Sequence, residues 1–107
     1  MKKLIRDAIP ALIIGDRLKG SPALDDNENG IRRLTRGEYT YALKLKLYEE
    51  WEEAWESPSA EELADCLEVL MATAKLWNIK WENVESERSL KKEVRGGFEG
   101  GWELSKP

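Results

Sequence analysis

The chain contains no histidine and one cysteine, Cys66. These two scarcities remove much of enzyme chemistry at once. Disulfide frameworks, Cys/His zinc sites and CxxC redox motifs are excluded. So are Ser-His-Asp and Cys-His nucleophilic systems. No Walker A loop and no GxGxxG is present. No apolar run approaches the ~18–20 residues that cross a bilayer, so no membrane association is expected. The opening MKKLIRDAIPALIIGDR starts like a signal peptide. Arg6, Asp7 and Pro10 interrupt it, and the apolar run Ala11–Ile14 is too short for an h-region. The expected compartment is the cytoplasm. Acid–base or metal chemistry must therefore use carboxylates, lysine or tyrosine. A carboxylate-only site favours hard cations, Mg²⁺ or Mn²⁺.

What the chain has in quantity is charge. Charged residues make up 36% of its 107 positions, with few β-branched runs, which leans towards helix. The length fits one small domain over residues 1–107, with a core modest enough to favour oligomerisation. The net charge of −4 is unevenly spread. Residues 1–48 carry ten basic and six acidic groups, and residues 49–107 carry seven basic and fifteen acidic. The acidic half does not suit a nucleic-acid polymer, and the basic residues are scattered rather than striped.

The periodicity predicts an all-α fold. Leu4, Ile5, Ile9, Leu12 and Ile13 recur at helical spacing over Lys3–Ile14, with Pro10 kinking or delaying the helix. Residues 15–37 hold four of the eight glycines and read as a long loop. A strong helical pattern runs from Glu38 to Glu56 and is broken at Ser57-Pro58. Ser59, with Glu62 three residues on, opens the next helix as a capping box. That helix runs to about Trp77, where Asn78 can take the left-handed position. A third segment, about Trp81–Val94, starts poorly at Lys80 and ends at Arg95-Gly96-Gly97. Residues 98–107 form a tail.

Eight acids crowd the stretch from Glu49 to Asp65, and their angles sort them. At about 100° per residue with Glu50 as zero, Leu43, Leu47, Trp51 and Ala54 lie at roughly 20–100°. Glu49, Glu52 and Glu56 lie opposite, at roughly 200–260°, as a solvated face. Glu50 and Glu53 sit at the rim of the apolar arc, with Lys46 on the same strip. In the next helix, with Glu62 as zero, Leu63, Cys66, Leu67, Leu70, Ala74 and Trp77 span roughly 40–140°. Val69, Ala72 and Leu76 make a second apolar patch at roughly 280–340°. Asp65 lies inside that patch and Glu62 between the two.

A short connection makes the two helices an antiparallel hairpin. Counted from its midpoint, Glu53 is level with Glu62, and Glu50 with Asp65. Four carboxylates then converge on one semi-buried patch, where like charges repel strongly. A divalent cation is the simplest remedy. The plainer alternative is that they are helix-surface acids, Glu61 and Glu62 favouring the helix N-terminus.

The tryptophans, including the i,i+4 pairs Trp51/Trp55 and Trp77/Trp81, read as core or subunit-interface packing, or as base-stacking platforms. Lys46, Arg88, Lys91, Lys92 and Arg95 either meet phosphates or belong to charged helix faces. Cys66 reads as a small inert hydrophobe.

Glu49–Glu53 (EExxE) followed by Glu62–Asp65 (ExxD), in the contexts KLYEEWEE and EELADCLEV and followed by RGGFE at 95–99, resembles the metal signature of MazG-type all-α NTP pyrophosphohydrolases. KLIRDAIP resembles the KLxRDKIP opening of small house-cleaning members of that superfamily, relatives of phosphoribosyl-ATP pyrophosphohydrolase. Ala8 stands where that motif has lysine, and the spacer from Glu53 to Glu62 is short for the superfamily. The resemblance implies a helical bundle completed by a homodimer or higher homo-oligomer, the bundle between subunits covering the second apolar patch. It also implies Mg²⁺-dependent cleavage of a nucleoside triphosphate between the α- and β-phosphates. By that likeness Glu50, Glu53, Glu62 and Asp65 hold the metal, and Glu50 or Glu49 orients the attacking water. Lys46, Arg88, Lys91 and Arg95, or Arg6, steady the phosphates. The rivals are phosphoribosyl-ATP pyrophosphohydrolase itself and a catalytically silent helical module that binds a nucleotide or a protein.

Overall fold

A computed structural model describes residues 2–14 and 30–105. The fold is all-α, with α1 at Ile9–Ile14, α2 at Arg36–Glu56, α3 at Ala60–Leu76 and α4 at Trp81–Arg95. The chain forms two compact units, Met1–Thr73 and Ala74–Pro107. No helix among the described residues is long and apolar enough to cross a membrane.

Pro10 delays α1, as its missing N–H and fixed φ require, so only six residues are helical. Residues 15–29 of the expected loop lie outside the described residues. The rest of that loop is shorter than the composition suggested, because α2 starts at Arg36 rather than Glu38. Thr35 is the cap. Its Oγ1 accepts from Glu38 N–H at 3.2 Å, and its own N–H donates to Glu38 Oε1 at 2.9 Å. The Arg32 guanidinium grips the same carboxylate at 3.0 and 2.8 Å. That pairing, with the Thr35 N–H bond, holds the Glu38 carboxyl down at about 2.

Ser57 N–H closes α2 on Glu53 O at 2.9 Å. Pro58 then denies the helix a further donor, and α2 and α3 pack closely as a hairpin. At the end of α3, Asn78 takes φ 58°, and Ile79 N–H returns to Ala74 O at 2.8 Å. In α4 the cap residue Lys80 makes no side-chain bond, and Gly96 terminates the helix.

The inward side of the hairpin is narrow. Leu43, Glu50 and Ala54 of α2 are buried, and so are Cys66 and Val69 of α3. On α3 the inward line runs through Glu62, Asp65, Cys66, Val69, Ala72 and Thr73. It takes Val69 and Ala72 from the second apolar patch and Cys66 from the edge of the wider arc, whose Ala74 is also buried. Leu63, Leu67 and Leu70, from the wider arc, are exposed. A helix apolar around most of its girth can turn only one side to its hairpin partner. Trp51 and Trp55 stay at the surface, stacked edge to face with ring centroids 5.8 Å apart. Neither is core within the protomer.

Candidate metal centre

Glu50, Glu62 and Asp65 each offer a carboxylate oxygen, and the three oxygens lie within 4.8 Å of one another. The mirror relation about Ser57-Pro58 brings them together, since Glu50 and Asp65 stand level across the hairpin. Glu53 is not one of the three. It lies about 60° further from the apolar arc of α2 than Glu50, and its side chain is exposed. It still feels the cluster: Glu50 first, then desolvation and Glu62, raise its pKa above the ordinary carboxylate value.

Glu50 is the most enclosed acid, at 7% relative exposure. Lys46 Nζ holds its Oε1 at 3.1 Å and reaches Glu49 Oε1 at 3.5 Å. Burial pulls the Lys46 ammonium down, but the Glu50 hydrogen bond and the two carboxylate charges outweigh it, and its pKa ends raised. Across the cluster, Arg6 donates to Asp65 Oδ1 at 2.6 Å. By the family likeness Arg6 is only the alternative to the basic residues near 88–95 for the phosphates; here it lies on a carboxylate of the cluster. It comes from a non-helical segment, so periodicity carried no signal of this contact.

Glu62 has no cation beside it among the described residues. Burial, then the charges of Asp65 and Glu50, raise its pKa. Ser59 Oγ accepts from Glu62 N–H at 3.1 Å, but the reciprocal bond from Ser59 N–H to the Glu62 carboxylate does not form among the described residues. Only half of the capping box is made. Two oxygens, Glu50 Oε2 and Glu62 Oε2, are buried without a hydrogen-bond partner. Leaving such groups unsatisfied costs about 1–3 kcal/mol each, more when charged. Cys66 lies behind the cluster: burial first, then Glu50, Asp65 and Glu62, push its thiol up. That disfavours the thiolate, the reactive form.

These donors fit a hard divalent cation. All are carboxylate oxygens, two of them orphaned, and three protein ligands leave positions for phosphate and water. Oxygens sharing one Mg²⁺ at about 2.1 Å stand at most about 4.2 Å apart, so small side-chain rotations gather the three. Glu52 and Glu56 are exposed, as expected for the wet face, but Glu49, placed on the same face by its angle, is half-buried beside Lys46. Arg88, Lys91 and Arg95 belong to the second unit and line a groove there.

The raised pKa values of Glu53 and Glu62 set a direction for pH dependence. A carboxyl whose folded pKa exceeds its unfolded value binds more protons in the native state, so stability falls as pH rises through that window. Metal-free protein is expected to lose thermal stability as pH rises from 4.5. Glu38 acts oppositely in a separate window, its contribution disappearing as pH falls from 4.5 towards 2. Melting curves in chelator from pH 3 to 7 check both; a midpoint still rising above pH 5 contradicts the cluster assignment.

No protein-family model matches the chain, and no curated protein and no solved structure is significantly similar to it.

Proposed function

We propose that the chain is a metal-dependent nucleoside triphosphate pyrophosphohydrolase of the MazG-type all-α kind. It cleaves the α–β phosphoanhydride to a nucleoside monophosphate and pyrophosphate, acting on non-standard nucleotides in the cytoplasm. One observation carries the reading. Three carboxylates from both arms of the hairpin share a site that holds two buried, unpartnered oxygens. A surface-acid cluster has no reason to bury them. The order EExxE, ExxD and RGGFE supports the family assignment.

Glu50, Glu62 and Asp65 would hold Mg²⁺ or Mn²⁺, with Glu53 at the rim. The ion, when bound, supplies charge against the phosphate oxygens and acidifies water. Lys46 fixes the orientation of Glu50 by holding Oε1, so that Oε2 is the free donor. Glu49, tethered by the same ammonium, orients the attacking water and accepts its proton. The exposed apolar residues Leu63, Leu67, Leu70 and Met71 support a homodimer or larger homo-oligomer that covers α3. Light scattering that returns a 12.3 kDa monomer at micromolar concentration would remove that part.

The test of the reaction is pyrophosphate release from a panel of NTPs and dNTPs with Mg²⁺. Silence across the panel defeats it, and activity confined to phosphoribosyl-ATP selects the rival reaction. Arg6 supplies a further check. Its side chain is 61% exposed, and such a pair is worth at most about 1 kcal/mol. If Arg6 and metal compete for Asp65, Arg6→Ala tightens Mg²⁺ binding, by up to about five-fold. Weaker Mg²⁺ binding in a calorimetric titration would show that Arg6 supports the ligand instead.

A further inference from the structure

The three most exposed large apolar side chains among the described residues sit close together in the tail. Phe98 is 98% exposed, Trp102 96% and Leu104 85%. Single exposed apolar residues are ordinary on a surface, but a group of them marks an interaction site. The tail is held in a definite shape. Gly96 takes φ 83°, a left-handed conformation that side chains resist, and Gly101 N–H closes a turn on Phe98 O at 3.2 Å. The Trp102 indole lies over Gly100, where an added Cβ would come within 2.9 Å of two ring atoms. Two acids are interleaved with the apolar residues. Glu99 folds back over Gly97, and Glu103 accepts a long 3.4 Å bond from Ser105 Oγ. Neither has an ion pair among the described residues.

The complementary chemistry stands on the helix before the tail. Trp81 and Val84 are the two half-buried residues of α4. With Arg88 as zero they lie at roughly 20° and 320°, and Lys91, Lys92 and Arg95 at roughly 300°, 40° and 340°. The packing side of α4 thus runs on, uncovered, through four cations. The helix dipole accounts for Lys92 and Arg95 in the last turn, but its reach does not extend to Arg88 and Lys91. Arg88 has only a long 3.4 Å contact with Glu85. Lys91, Lys92 and Arg95 have no ion pair among the described residues. The four cations and the turn at Phe98 border an open groove of about 1020 Å³. The protomer's own Trp102 and Leu104 are too exposed to be laid in it.

We propose that this groove takes the tail tip, residues 102–105, of a second copy of the chain, each protomer giving its tip and receiving the other's. Charge selects the occupant: the tip carries Glu103 and the helical wall of the groove carries the four cations, two of them arginines whose planar forks suit a carboxylate. Length agrees as well. The cations span about 10 Å of helix axis, about the reach of residues 102–105 when extended. Trp102 of one copy then meets Phe98 of the other as an aromatic pair. One patch carries both halves of the contact, which is the self-complementarity a two-fold interface requires, and such a contact closes at two copies. It uses neither the carboxylate cluster nor the leucines of α3, so it stands apart from the proposed reaction and from the association through α3.

The probe is a fluorescent peptide with the sequence of residues 98–105, FEGGWELS. The receptor is the full chain carrying Trp102→Ala, which keeps the groove and loses the tip that would compete for it. Anisotropy is expected to show saturable binding. Trp102→Ala in the peptide should weaken it about thirty-fold or more, the loss that marks an anchoring tryptophan. Lys91→Glu with Arg95→Glu in the receptor should weaken binding about ten-fold or more, and Glu103→Lys in the peptide should recover affinity for that receptor. Lys75→Glu with Lys80→Glu reverses the same charge elsewhere in the unit and should leave the affinity within about two-fold. All these side chains are exposed, so circular dichroism should match wild type. Absence of binding, equal binding of a scrambled peptide, or indifference to the reversal at Lys91 and Arg95 would overturn the proposal. Leu67→Asp strikes the α3 surface and should leave peptide binding unchanged, so either association can fail without the other.

Discussion

Glu62→Gln is expected to lower pyrophosphate release by about 100-fold or more, while making the metal-free protein harder to unfold. Loss of even an outer partner of a metal ligand typically costs about 10–100-fold, so loss of a ligand's charge is the larger event. The stability change has the opposite sign. In the metal-free state Glu62 is charged, partly buried and close to Glu50 and Asp65, with Oε2 unsatisfied. An amide removes one repelling charge and can donate to the neighbouring carboxylates. Opposite signs for activity and stability mark a residue kept for function at a cost to the fold. Steady-state assays and melting curves in chelator decide it. A variant that is active, or less stable than wild type without metal, would return Glu62 to the ordinary surface acids.

Leu43→Ala should lower the unfolding free energy by about 2–5 kcal/mol. Leu43 is 3% exposed, the least exposed of the buried apolar residues. The other buried apolar residues of its unit are mostly small: Ala54, Cys66 and Val69, with Ile31. Chains of this size have roughly 5–15 kcal/mol in total, so the change takes a large share. Urea titration at fixed protein concentration measures it, since association with another copy would couple to unfolding. A loss under about 1 kcal/mol would place the principal core elsewhere. The two variants separate scaffold from site: one loses activity through instability, the other despite added stability.

Much of this was readable from residue order. The break at Ser57-Pro58 fixes the hairpin, and the hairpin fixes which acids stand level. Angle about the helix then separates Glu52 and Glu56 from Glu50 without reference to any neighbour. Glu53 shows where that reasoning weakens. Level position is set by counting, but which way a rim residue turns depends on the packing of both helices. The two apolar patches on α3 were assigned the wrong way round: the second, expected under a partner subunit, holds buried Val69, while Leu63, Leu67 and Leu70 of the wider arc are exposed, and helical periodicity is the same for both. Thr35 and Glu38 were a legible T-x-x-E start signal for α2, obscured by the glycine-rich run ahead of them. Arg6 gave no periodic signal, and its contact with Asp65 spans 59 positions.

The half-made capping box at Ser59 has a consequence for the order of assembly. Helices form within about a microsecond, before long-range docking. In that interval no partner carboxylates are near, and Glu62 is free to close the box on Ser59 N–H and start α3. In the closed hairpin the same carboxylate stands in the cluster instead. On the proposed reading, one side chain would thus act early as a nucleation signal and late as a metal ligand. Removing it should slow refolding, whereas glutamine, which can still close the box, should not; stopped-flow refolding of Glu62→Ala against Glu62→Gln reads the difference.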